Sequence, residues 1–222
     1  MSTPTQPLDI EEETVEIESP AARLTGVLAY PLIGRPKRAA LIVGPHPLMG
    51  GRLENNVVRQ VGRGLAERAF ATLRFEFDDA SAAPDVMAEF WRTGHAPDDP
   101  QRAVDSRAAL DWLSSVCTGP ILLIGYSFGA SLLAGLLNER SSGVVLIGAT
   151  FAQHDYRALA ANSVSKLVIA ADNDFATPMT TTEQWVATAA DPKRLVVMPA
   201  AEHFYRGHEG RIVEEILQWL PR

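Results

Sequence analysis

Apolar positions fall into short runs bounded by glycine or proline, separated by longer stretches in which they recur every three to four residues. The runs at 40–43, 72–77, 121–125, 144–147, 166–170 and 194–198 predict strands. The stretches at 55–68, 99–115, 128–138, 181–189 and 210–220 predict helices. Residues 14–18 alternate β-branched and acidic side chains, and 24–30 run up to Pro31; both predict short edge strands able to pair as a hairpin. Strands alternating with helices imply parallel strands joined by right-handed crossovers, a three-layer α/β/α sandwich built on a mostly parallel sheet. Ligands of such a sheet sit beyond the carboxyl ends of its strands. With no internal repeat or low-complexity linker, residues 19–222 are expected to form one domain. Residues 1–18 are expected to be an acidic, flexible lead-in.

Composition narrows the class. The chain has 222 residues, 46% apolar and 21% charged, enough to bury a continuous core. A single cysteine, Cys117, cannot form an internal disulfide or half of a CxxC pair, so neither a disulfide framework nor structural zinc is expected. No apolar run reaches the roughly 18 residues of a membrane span and residues 1–20 lack a signal-peptide pattern, so no membrane insertion and a cytoplasmic location are the expectations. Of the net charge of -7, six acids lie between Asp9 and Glu18 with no base before Arg23; the remaining 21 acids face 20 bases. Such a balance offers no basic stripe for a phosphate backbone, and nucleic acid is not an expected partner.

The chemistry concentrates in Ile121-Leu122-Leu123-Ile124-Gly125-Tyr126-Ser127-Phe128-Gly129-Ala130, a buried strand running through G-x-S-x-G into a helix. A strand-to-helix turn this tight strains the serine backbone and needs glycine where a Cβ would collide. It lifts the Ser127 hydroxyl above the sheet at the positive end of the next helix. The bland alternative is a glycine-rich turn with a capping serine.

A serine nucleophile requires a histidine base and an orienting acid, here in the order Ser, Asp, His. The strand at 166–170 opens into Asp172 and Asp174, and the strand at 194–198 opens into His203. Asp174 is favoured, because Asp172, immediately after its strand, is placed to bond its own turn. His208 near the start of the last helix, and His95 and His154 in irregular segments, are expected to have ordinary roles. Tyr126, Met49 and Trp91 are candidates for the substrate pocket. The unassigned stretch 78–100, which contains Phe90 and Trp91, either covers the pocket or packs as a surface helix.

Taken together, the segments Gly44-Pro45-His46-Pro47-Leu48-Met49-Gly50-Gly51, the elbow at Ser127, Asp174 with Pro178, and Ala201-Glu202-His203-Phe204 resemble the α/β-hydrolase superfamily. The likeness is to its small members without a cap domain, similar to dienelactone-hydrolase-like and short esterase-like proteins, and runs from about Leu24 onward. It implies an eight-stranded, mostly parallel sheet and a Ser127, Asp174, His203 triad. The implied oxyanion hole uses the N–H of Phe128 and one from the 44–51 loop. Pro45 and Pro47 have no N–H, so His46 is the first choice and Leu48 the second. Only about 16 residues, 150–165, stand where relatives insert a lid, too few for a lid domain. Dienelactone hydrolases typically use cysteine where this chain has Ser127.

The expected function is a cofactor-independent, metal-free serine hydrolase acting on an ester, thioester or activated amide of a small acyl substrate. The alternatives are a non-catalytic binding module on the same fold, and perhydrolase or haloperoxidase-like activity from the same triad.

Overall fold

Apolar runs with few polar interruptions become the eight strands of one sheet: β1 (Ile10–Glu18), β2 (Arg23–Pro31), β3 (Arg38–Val43), β4 (Phe70–Phe75), β5 (Ile121–Tyr126), β6 (Ser141–Ile147), β7 (Lys166–Asn173) and β8 (Lys193–Glu202). Their order is β1-β2-β4-β3-β5-β6-β7-β8. β1 pairs with β2 and β2 with β4 antiparallel, while every other pairing is parallel. The computed structural model describes residues 6–20, 22–78, 88, 92–93 and 100–221.

Among the described residues the helices are α1 (Asn56–Ala66), α2 (Pro100–Val116), α3 (Phe128–Leu136), α4 (Arg157–Ala161), α5 (Met179–Thr188) and α6 (Glu209–Trp219), with a 3-10 turn at Pro47–Met49. Alternation along the central strands feeds two apolar layers. Leu41, Leu123, Leu146 and Val168 pack with Leu110 and Leu113 of α2 and Leu133 of α3. Ile42, Ile124, Val145 and Ile169 pack on the other face with Val58 and Val61 of α1 and Ile212 and Ile216 of α6. This is the α/β-hydrolase architecture, with no separate cap domain among the described residues.

The lead-in expected to be flexible is corrected here, because Ile10–Glu18 is an edge strand paired along its whole length with β2. Its inner side buries Ile17, and Glu12 reaches both Arg63 and Arg74. Glu16 and Glu18 pair with Arg23 of β2 and Glu13 accepts from the Tyr30 hydroxyl, so the edge strand carries charged side chains that discourage pairing with another chain. The hairpin expected of 14–18 and 24–30 is present as β1 and β2, and the charge count misreads only the residues before 14, which pairing makes part of the strand. α4, inside the stretch 150–165, is a single short turn of helix without the periodicity that would predict it. β7 and β8 also extend beyond their apolar runs. Their registers slip between Ala171 and Asn173, Asn173 pairs with Glu202, and the Asp172 carboxylate accepts the Ala200 N–H at 3.0 Å. Asp172 thus ties two strands together rather than bonding its own turn.

Candidate active site

Ser127 occupies the single-residue turn between β5 and α3 with φ 54° and ψ -122°, a left-handed conformation costing about 1–3 kcal/mol for a non-glycine residue. Close packing enforces it. A Cβ at Gly125 would lie 2.4 Å from the Ala130 Cα, and one at Gly129 would lie 2.2 Å from the Val43 carbonyl oxygen. The Ser127 N–H donates to the Ile147 carbonyl at 2.9 Å, tying the turn to β6. Although Ser127 precedes α3, its side chain makes no capping bond. Its Oγ lies instead 3.0 Å from His203 Nε2.

On the other side of the ring, His203 Nδ1 is 2.9 and 2.8 Å from the two Asp174 carboxylate oxygens. Asp174 Oδ1 also accepts the N–H groups of Ala176 at 2.7 Å and Thr177 at 3.2 Å. The Thr177 hydroxyl donates to the Ala149 carbonyl at 2.9 Å, so the acid loop is anchored to the end of β6. The side chains of His203 and Asp174 are only 7% and 5% exposed, which shields their interaction from water. Ser127, His203 and Asp174, brought from the ends of β5, β8 and β7, thus form one hydrogen-bonded chain.

The backbone carrying His203 is held from below. The Tyr126 hydroxyl donates to the His203 carbonyl at 3.0 Å, and the Tyr205 hydroxyl donates to the Ile169 carbonyl at 3.0 Å. Burial pushes both phenols well above their ordinary range, so both are donors at neutral pH. Gly148, at φ 50°, leaves room for these rings, since a Cβ there would sit 3.2 Å from Tyr205 and 3.5 Å from His203 Cε1.

The 44–51 loop folds over the start of α3. The His46 carbonyl accepts the N–H groups of Met49 at 2.8 Å and Gly51 at 3.2 Å, which fixes that peptide within the turn. The buried His46 ring meets Phe128 edge-on at 5.1 Å, and His154 meets the same ring at 5.3 Å. Phe128 is the first residue of α3, so its N–H has no intrahelical acceptor. An open groove of about 510 Å3 beside this point is lined by Pro100, Ala103, Phe128, Leu132 and His154 among others.

The expected site residues separate as follows. Ser127, Asp174 and His203 meet directly, and Phe128 and His46 lie in contact beside them. The backbone of Leu48 lies in the 3-10 turn, and Met49 is half-buried there. Tyr126 does not line an open pocket: at 1% exposure it belongs to the core layer of α1 and α6, because it is the last residue of a strand buried on both faces. Trp91, with most of 78–100, lies outside the described residues. His208 precedes α6 without a side-chain cap, and His154 is bound to the Thr150 hydroxyl at 2.8 Å. Sequence reasoning passed over Phe175 and Phe204, which pack on His203; their position directly after Asp174 and His203 was the available signal. Among the described residues, no cluster of three or more His, Cys, Asp or Glu is placed to hold a metal, and no helix is long and apolar enough to cross a membrane.

This architecture recurs in solved structures. An α-β serine hydrolase homologue from Coxiella burnetii superposes with a TM-score of 0.79 at 23% identity, over 94% of this chain and 97% of that one. A putative α/β hydrolase from Agrobacterium tumefaciens gives 0.77 at 26% identity, over 93% and 94%. A serine hydrolase without lid from Xanthomonas campestris gives 0.74 at 23%, over 96% of each chain. The chain thus shares the α/β-hydrolase fold of these proteins, with no separate cap domain among the described residues. In sequence it is 24% identical to an uncharacterized Rickettsia prowazekii protein over 179 residues, 75% of this chain and 71% of that one. It is 31% identical to an uncharacterized Mycobacterium tuberculosis protein over 132 residues, 48% of this chain and about half (47%) of that protein's length. No protein-family model matches the chain.

Proposed function

We propose that this protein is a serine hydrolase that cleaves an ester, thioester or activated amide of a small acyl substrate through an acyl-enzyme. The observation that carries this reading is the chain Ser127 Oγ to His203 Nε2 to Asp174, built on a serine held in a strained conformation and diverted from capping its own helix. Strain of this kind, maintained by the surrounding packing, clusters at functional sites. The description of the Coxiella and Xanthomonas proteins as a serine hydrolase homologue and a serine hydrolase supports it.

In this reading Ser127 Oγ attacks the substrate carbonyl carbon while His203 Nε2 takes its proton. Asp174 holds the ring with Nδ1 protonated and stabilises the imidazolium. The carbonyl oxygen, now negative, faces the N–H groups of Phe128 and His46 at the positive end of α3. The bond to the leaving group breaks and the leaving group takes the proton from His203. Water then attacks the acyl-enzyme, giving its proton to His203, which returns one to Ser127 as the acid departs.

A fluorophosphonate probe tests this directly. One serine should be labelled in the wild type and none in Ser127→Ala, with turnover of p-nitrophenyl acetate lost in parallel. An unlabelled wild type beside a reactive control esterase, or equal labelling of the variant, would leave a binding module as the function of this fold.

A further inference from the structure

Two exposed aromatic rings flank the histidine of the candidate site. Phe175 is 55% exposed and Phe204 37%, and among the described residues they are the aromatic side chains that face solvent most openly. Their centres lie 5.1 and 5.9 Å from that of the His203 ring, both edge-on, and 5.5 Å from each other. The buried Tyr126 ring lies 6.0 Å from the same imidazole, so the two phenylalanines occupy its solvent side.

The backbone that carries both rings is held in place. Phe175 rides on the loop that Asp174 Oδ1 closes through the N–H groups of Ala176 and Thr177. The Phe204 carbonyl accepts from Asn56 Nδ2 at 2.9 Å, and the Arg206 guanidinium lies 5.1 Å from the Phe204 ring centre. Isolated apolar side chains on a surface need no explanation, but a pair of rings in mutual contact on anchored backbone beside a reactive histidine presents a platform.

Chemistry says which part of a substrate meets that platform. The atom that leaves must receive its proton from His203 Nε2, so the leaving group sits within hydrogen-bond reach of that ring. Aromatic rings prefer edge-to-face or offset partners at centre distances of about 4.5–7 Å, the spacing these two already keep with His203 and with each other. Resting on the hydrolase reading above, we propose that Phe175 and Phe204 form a leaving-group subsite selective for planar aromatic alcohols, making aryl esters the favoured substrate class. In the step concerned, the acyl carbon to aryl oxygen bond breaks, the acyl group stays on Ser127, and the proton taken from Ser127 passes from His203 to the aryl oxygen as the phenol leaves.

The test compares phenyl acetate with hexafluoroisopropyl acetate, which share an acyl group and have leaving groups of similar acidity, one aromatic and one not. In the Phe175→Leu/Phe204→Leu double variant, KM for phenyl acetate should rise about five- to tenfold, while kcat and KM for the fluoroalkyl ester stay within about twofold. Equal losses on both esters would make the rings a brace for His203, and no change on either would leave them without a role; each outcome overturns the subsite. Should the double variant lose its fold, inhibition of the wild type decides. Phenol should compete at several-fold lower concentration than the similarly apolar cyclohexanol, and equal inhibition overturns the proposal. A wild type that takes the fluorophosphonate probe at Ser127 yet shows no preference for the phenyl ester refutes the aryl subsite alone. Absence of labelling removes the hydrolase reading and the subsite with it.

Discussion

The Tyr126 hydroxyl donates a hydrogen bond of 3.0 Å to the carbonyl oxygen of His203, so the residue before the serine supports the backbone of the histidine 77 positions later. The end of β5 reaches His203 in two ways. Its last buried residue braces His203 from the core side, while the next residue turns upward to meet the imidazole.

Tyr126→Phe keeps the ring and removes the donor. A buried carbonyl left without its partner costs about 1–3 kcal/mol, and the melting temperature should fall accordingly. If the bond also positions His203, kcat for an ester should drop roughly fivefold with KM unchanged, since substrate contacts are untouched. A purely structural role would lower the melting temperature and leave kcat alone.

The two acids of the β7 end are distinguished by what they bind. Asp174 faces His203 Nδ1, whereas the Asp172 carboxylate accepts the Ala200 N–H between strands. Asp174→Asn should reduce kcat by about 10^4-fold in a folded protein, because an amide holds the wrong histidine tautomer. Asp172→Asn retains an acceptor oxygen and should keep most activity. Steady-state kinetics beside circular dichroism would check the ranking, and the reverse order would exchange the two roles.

Sheet, helices and elbow were legible because each rests on a local signal. β5 is a run of apolar residues, and Gly125 and Gly129 stand where packing leaves no room for a side chain. The acid and histidine could be sought at strand ends because parallel sheets present their carboxyl ends together. What was not legible depends on contacts distant in sequence. The hairpin of 14–18 with 24–30 was legible, but the extension of β1 back to Ile10 rests on its pairing with β2 and on the approach of Arg63 and Arg74 to Glu12. Tyr126 looks like a pocket residue from its place beside Ser127, but β5 is buried on both faces and alternation only selects the layer of α1 and α6 that its ring joins. Phe175 and Phe204 sit in separate loops, and nothing in either loop alone says that their rings meet on one imidazole.

The β1 edge gives a pH dependence. Burial pulls the Glu12 carboxyl above its ordinary value of 4.5, but the hydrogen bond and charge of Arg74, with those of Arg63, outweigh it and hold the group below that value. A carboxyl depressed by folding contributes stability that is complete above its unfolded value and disappears as pH falls through the folded one. Glu12→Gln should therefore lower the urea midpoint at pH 7, leaving Arg74, only 4% exposed, to the more distant and exposed Glu54 carboxylate at 3.5 Å. The difference from wild type should shrink as pH falls below the ordinary value of 4.5 and vanish once the folded carboxyl is itself protonated. A gap that stays constant over that range would show that the Glu12 charge contributes nothing and that packing alone is lost.

The loop over the start of α3 offers a test of the proposed anion-stabilising donors that spares both the proposed nucleophile Ser127 and its proposed base His203. At Gly51 a Cβ would lie 1.9 Å from the Pro45 carbonyl oxygen and 2.9 Å from the His46 carbonyl carbon, contacts with backbone that no side-chain rotation relieves. Gly51→Ala must therefore open the turn that holds the His46 peptide through the Met49 and Gly51 N–H groups. If the His46 N–H faces the developing oxyanion, kcat should fall by about 100-fold or more, the usual scale for one such donor. Gly50 provides the control: it adopts φ 83° with nothing within 4 Å, so Gly50→Ala meets only the left-handed backbone penalty, about 1 kcal/mol. His46→Pro removes the donor itself and should match Gly51→Ala in kcat, whereas His46→Ala keeps the N–H and most of the turnover, with some stability lost from the Phe128 contact. Melting curves must first show that each variant is folded. If Gly51→Ala and His46→Pro fold normally and turn over an ester at the wild-type rate, the oxyanion is stabilised without this loop, and the Phe128 N–H with the α3 dipole must account for it.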